Sequence, residues 1–141
     1  MKLTRKQIVD VHNALSKFEG KAMSLRCGFA LNKAKQAIAG EITALVEAQG
    51  KLRLTPELEE YNKAISELDR SDVEKYNEEA KAIYEQHKEA VEEFRKKDAE
   101  FGELLKEEVE VDIKPIPSSI LPDDVLTLAE IEAIMPVLTE D

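Results

Sequence analysis

Apolar residues recur at helical spacing from the start of the chain. After Thr4, the residues Ile8, Val11, Leu15 and Phe18 fall on one stripe. Gln7 lies three residues beyond Thr4, the spacing at which each side chain can satisfy the other's free backbone N–H. A first helix is predicted over about residues 4–19, stopped near Gly20. A second is predicted over roughly 25–49, with Leu31, Ile38, Ile42, Leu45 and Val46 as its large apolar positions. Ala30, Ala34 and Ala37 lie between them, small enough for a neighbouring helix to come close. Thr55-Pro56-Glu57 starts a third helix with a capping hydroxyl, a proline in the first turn and an acid near the positive end of the helix dipole. Leu58, Tyr61, Ile65 and Leu68 then follow at the spacing of a coiled-coil seam.

Ser71 and Glu74 repeat the capping-box spacing, which predicts a turn or kink near residue 70, with a continuous helix as the alternative. Beyond it, Ala80, Ile83, His87, Val91 (or Ala90), Phe94, Phe101 and Leu105 (or Leu104) form a thin stripe on an otherwise polar helix over about 72–107. A continuous helix of that length spans about 54 Å, and so narrow a stripe suits a helical hairpin or coiled coil. At residue 109 the period drops to two. Val109, Val111 and Ile113 alternate with Glu110, Asp112 and Lys114, predicting a short strand that Pro115 and Pro117 confine to an edge. A lone strand needs a partner: an extended stretch elsewhere in the chain, another subunit, or a bound protein. A turn at Pro122-Asp123-Asp124 leads to a last helix over about 128–135, capped by Thr127, carrying Leu128, Ile131 and Ile134, and ended by Pro136.

The expected fold is therefore mainly all-α. It is a single domain over 1–141, with a helical part over 1–50, a long antiparallel hairpin over 56–107, and a strand plus C-terminal helix over 108–141. Charge refines this picture. The net charge is −10, with ten Lys/Arg against four Asp/Glu in residues 1–55 and a large acidic excess beyond. An acidic chain is a poor non-specific binder of phosphate backbones, so nucleic acid is not the expected partner. The basic first third is expected to lie beside the long acidic helix. No apolar run approaches membrane-spanning length, and the N-terminus lacks the apolar stretch of a secretion signal.

Candidate chemistry is sparse. His87 sits on the stripe of the long helix, but the acid that a helical Glu-x-x-His metal pattern requires is replaced by Tyr84. His12 is solitary. Cys27 is the only cysteine, which excludes an intrachain disulfide, and is expected to be buried and inert. The acidic pairs Glu59-Glu60, Glu78-Glu79, Glu92-Glu93 and Glu107-Glu108 point about 100° apart on a helix, so they read as a solvated face. There is no Gly-rich phosphate loop and no nucleophile motif. The expectation is a non-enzymatic protein without cofactor, catalytic residues or metal. Its expected contact residues are Val109, Val111, Ile113, Ile116, Leu126, Leu128, Ile131 and Ile134.

Three segments carry a resemblance. They are Met1-Lys2-Leu3-Thr4-Arg5-Lys6-Gln7-Ile8 with Asn13-Ala14-Leu15, then Phe29-Ala30-Leu31-Asn32-Lys33-Ala34, and finally Leu104-Leu105 with Glu107-Glu108-Val109-Glu110-Val111-Asp112-Ile113 and the short Leu-rich helix. Together they resemble small uncharacterised proteins of tailed bacteriophages and prophages. The resemblance implies a viral origin, a bacterial host cytoplasm or the virion as location, and no activity that transfers to a residue. On this reading the chain is a protein–protein interaction module. It would act in virion assembly or on a host protein such as a defence factor, with a homo-oligomer as a further arrangement. The alternative is a protein that binds nucleic acid, or that mimics DNA toward host nucleic-acid enzymes.

Overall fold

The structure is a computed structural model that describes residues 1–52 and 55–140. It is mainly α-helical with only short strands. The elements are β1 (Lys2–Thr4), α1 (Arg5–Ser16), α2 (Leu25–Gly50), α3 (Pro56–Ser66), α4 (Val73–Gln86), α5 (Lys88–Lys106), β2 (Glu108–Glu110), β3 (Ile116–Pro117), α6 (Leu128–Ile134) and β4 (Leu138–Thr139). They sort into two compact units. The first joins the two ends of the chain, Met1–Glu47 with Glu103–Asp141; the second is Ala48–Gly102.

In the first unit, α1 begins as its sequence predicts. Thr4 Oγ1 accepts from the Gln7 N–H at 3.1 Å, and Gln7 Oε1 accepts from the Thr4 N–H at 2.8 Å. The helix stops four residues before Gly20, whose φ of +73° turns the chain at a conformation that side chains disfavour. The apolar stripe of α1 lies at the centre of the first unit's core. Ile8, Val11, Ala14, Leu15 and Phe18 pack in one buried cluster with Cys27, Leu31, Ala34 and Ile38 of α2. Of the small residues singled out on α2, Ala34 is buried there, and Ala30 and Ala37 are half-buried against the cluster. The cluster is closed by residues more than sixty positions away: Val111, Ile113, Ile116, Ile134 and Val137, with Leu3 from β1.

The strand near residue 109 takes the first of its three options, an extended stretch of the same chain. β1 pairs antiparallel with β2, Leu3 opposite Val109. The ladder extends at both ends: the Val111 N–H donates to Met1 O at 2.9 Å, and the Arg5 N–H to Glu107 O at 3.0 Å. The ordered strand is Glu108–Glu110, shorter than the 109–113 alternation suggests. Beyond it Val111 and Ile113 turn into the core, where burial outweighs further pairing. A second two-stranded pair, parallel, sets β3 beside β4. α6 packs against α1, and its start is a full capping box between Thr127 and Glu130.

The second unit is thinly packed. Thr55 caps α3 as predicted, its Oγ1 accepting from the Leu58 N–H at 3.3 Å. The break near residue 70 is present, with Asp72 rather than Ser71 as the cap of α4. α3 and α4 pack together, and Glu57 at the start of α3 lies beside His87 just past the end of α4, so the pair is antiparallel. The long helix expected over 72–107 is divided at His87, whose φ and ψ of −118° and 16° leave the helical region. No glycine or proline marks this break. It coincides with the imidazole being drawn in against Glu57 and the edge of the Tyr61 ring, a tertiary contact. Among the described residues of this unit only Leu58 and Val91 are fully buried, as expected for stripes one residue wide.

Candidate interaction surface

The structure separates the eight expected contact residues into two groups. Val111, Ile113, Ile116 and Ile134 are core residues, Val109 is half-buried in the β1–β2 ladder, and Leu126 is half-buried against the core. As placed, Val111, Ile113, Ile116 and Ile134 stabilise the core of the first unit, while Val109 and Leu126 are only partly covered. A period-two strand and a helix stripe look alike from the sequence whether the covering surface belongs to the same chain or another. Leu128 and Ile131 are different: they are 74% and 42% exposed. Met135, at the C-cap of α6, is 60% exposed and lies seven residues after Leu128. Positions separated by three and then four residues share one helix face, so the three side chains form a row. Ile134, on the flank of that row, is fully buried and anchors the helix to the core.

The second exposed apolar feature of this unit is at the start of α2. Leu25 is almost fully exposed and Phe29, one turn later, is 69% exposed. Phe29 borders a groove of about 500 Å³ between α2 and the extended segment 112–115. Ala30, Ala34 and Ala37 supply its α2 wall, with Asp112, Lys114 and Pro115 opposite. Lys33 also lines it, its Nζ 5.8 Å from the centre of the Phe29 ring. Leu25 and Met135 stand outside the expected set. The spacing of Met135 from Leu128 was readable, whereas nothing in the local pattern distinguishes Leu25 from a buried leucine.

Charge in the first unit is organised by pairs linking the ends of the chain. The Arg5 guanidinium bonds Glu107 at 2.5 Å and Glu41 at 3.1 Å, and these carboxylates raise its pKa, Glu107 most. The N-terminal ammonium donates to Glu110 Oε1 at 2.7 Å and holds that carboxyl below the ordinary glutamate value. Glu130 is lowered as well, first by the Thr127 backbone N–H and to a smaller extent by Lys17, whose Nζ is 3.9 Å away. Lys35 pairs with Glu19. Several basic groups of the first third thus face acids within this unit.

The candidate chemical groups stand apart from one another. Cys27 is fully buried, its N–H donates to Ser24 Oγ, and burial raises its thiol pKa, which keeps it protonated. His87 Nδ1 lies 3.6 Å from a single carboxylate, Glu57. Among the described residues no three His, Cys, Asp or Glu side chains gather as metal ligands would, and no helix is long and apolar enough to cross a membrane. Comparison with protein-family models, with curated proteins and with solved structures finds no match to this chain.

Proposed function

We propose that the chain is a non-enzymatic protein–protein interaction module whose contact face is the exposed row on α6. One observation carries this reading: Leu128, Ile131 and Met135 lie on one face of a short helix whose other face is locked into the core. Single exposed apolar side chains are ordinary, but three in a row on a rigid element form the kind of patch that partners cover. The row also matches the anchor spacing by which one helix seats in a groove of another protein. The resemblance to tailed-phage proteins supplies the setting, either assembly of the virion or engagement of a host protein such as a defence factor.

The test is comparative capture from host cells. Wild-type protein and a Leu128→Glu/Ile131→Glu variant are immobilised, and retained proteins are identified by mass spectrometry. The reading predicts a partner retained by the wild type and lost by the variant, with unchanged circular dichroism. An identical retained set for both proteins, with self-association also unchanged between them, refutes α6 as the contact face.

A further inference from the structure

We infer that the α6 row of one chain seats in the α2 groove of a second copy, an inference that rests on the reading of α6 as a contact face. Both halves of such a contact lie within the first unit. The row is narrow and convex: Leu128, Ile131 and Met135 project from a helix of two turns. The groove is concave, with a floor of small residues and an exposed aromatic ring at its border. Small side chains on the wall let a helix approach closely, and Phe29 offers a flat apolar surface to it. The groove is not filled by α6 of the same chain, because Leu128 remains 74% exposed.

Charge selects this pairing. Residues 21–40 carry four Lys/Arg and no acid, with Lys35 paired to Glu19, whereas residues 115–140 carry five acids and no Lys/Arg, with Glu130 beside Lys17. Lys33 and Lys114 line the groove, and Glu132 is exposed on α6 between Ile131 and Met135. Asp112, the one acid of the lining, leaves the groove with a net positive charge. A basic-rimmed groove and an acid-flanked row are complementary to each other, and each repels its own kind. Because the two surfaces differ, a single contact is heterologous. It closes into a dimer when the row of each copy seats in the groove of the other, and otherwise it propagates. In both cases the mass rises with concentration.

Sedimentation equilibrium of the full chain tests this. The wild type is expected to show a mass above 15.9 kDa that increases with concentration, and a weaker association at high salt. Ile131→Glu and Lys33→Glu are each expected to weaken association by about tenfold or more, since one places a charge in the apolar contact and the other reverses the groove. Combining Lys33→Glu with Glu132→Lys should restore much of what Lys33→Glu loses. Unchanged circular dichroism and continued protection of Cys27 verify that these surface variants fold. A wild type that is monomeric across the concentration range overturns self-docking, and so does association indifferent to both single variants. If a different protein is still captured through Leu128 and Ile131 while the wild type stays monomeric, self-docking fails and the reading of α6 stands.

Discussion

Ile134→Ala should destabilise the first unit by about 3 kcal/mol, within the usual range for deleting a buried isoleucine side chain. Ile134 is fully buried in a cluster with residues of α1, α2 and the 111–116 segment, so little of the resulting cavity can fill with solvent. Cys27 gives a direct assay. It is the only cysteine in the chain and is fully buried in the same cluster, so a thiol reagent reaches it when that cluster opens. Where closing is faster than labelling, a 3 kcal/mol loss raises the labelling rate roughly a hundredfold. All three tyrosines, Tyr61, Tyr76 and Tyr84, lie in the second unit, so their fluorescence reports on that unit during the same experiment. The companion variant is Ile131→Ala, three residues earlier on the exposed face, which should change stability by no more than about 0.5 kcal/mol. Equal labelling rates for Ile134→Ala and wild type, or an equally large effect from Ile131→Ala, would refute the division of α6 into a core face and a contact face.

Other perturbations follow from the same contacts. Val111→Pro removes the N–H that donates to Met1 O and disturbs a buried position, so it should cost about 3 kcal/mol or more, read as accelerated Cys27 labelling. Thr4→Ala removes the α1 cap and should lower stability by about 1 kcal/mol in urea unfolding followed by circular dichroism. Gly20→Ala meets no neighbouring atom, so its cost is backbone strain alone, about 1 kcal/mol in the same assay. The lowered carboxyl pKa of Glu110 stabilises the fold above the ordinary glutamate range, and that contribution disappears as pH falls through the lowered value. The melting temperature should therefore drop on acidification, with a shallower drop in Glu110→Gln.

Much of the helical framework was legible because its signals are local. The Thr4–Gln7 box, the Thr55-Pro56 start and the Thr127 cap each involve residues within one turn. The break at His87 was hidden because the contacts that accompany it come from a different helix, at Glu57 and Tyr61. The discontinuous first unit was hidden for a similar reason. Leu3 and Val109 are a cross-strand pair separated by most of the chain, and period-two alternation does not say which edge it will meet. The same limit divided the candidate contact residues. Ile131 and Ile134 are chemically alike and three positions apart, but one is exposed and the other closes the core, because only the packing of α6 on α1 decides which face turns inward.

Site-specific photo-crosslinking tests the central claim, that the exposed α6 row is where this protein meets its partner. A photoreactive side chain is placed at Ile131 in one protein and at Val73 in another, an exposed apolar position on α4 that serves as a control for general stickiness. The account predicts discrete adducts from position 131, absent from position 73 and suppressed by Leu128→Glu. Adducts of equal yield at both positions, or none at position 131 while the protein still binds its partner, would contradict it.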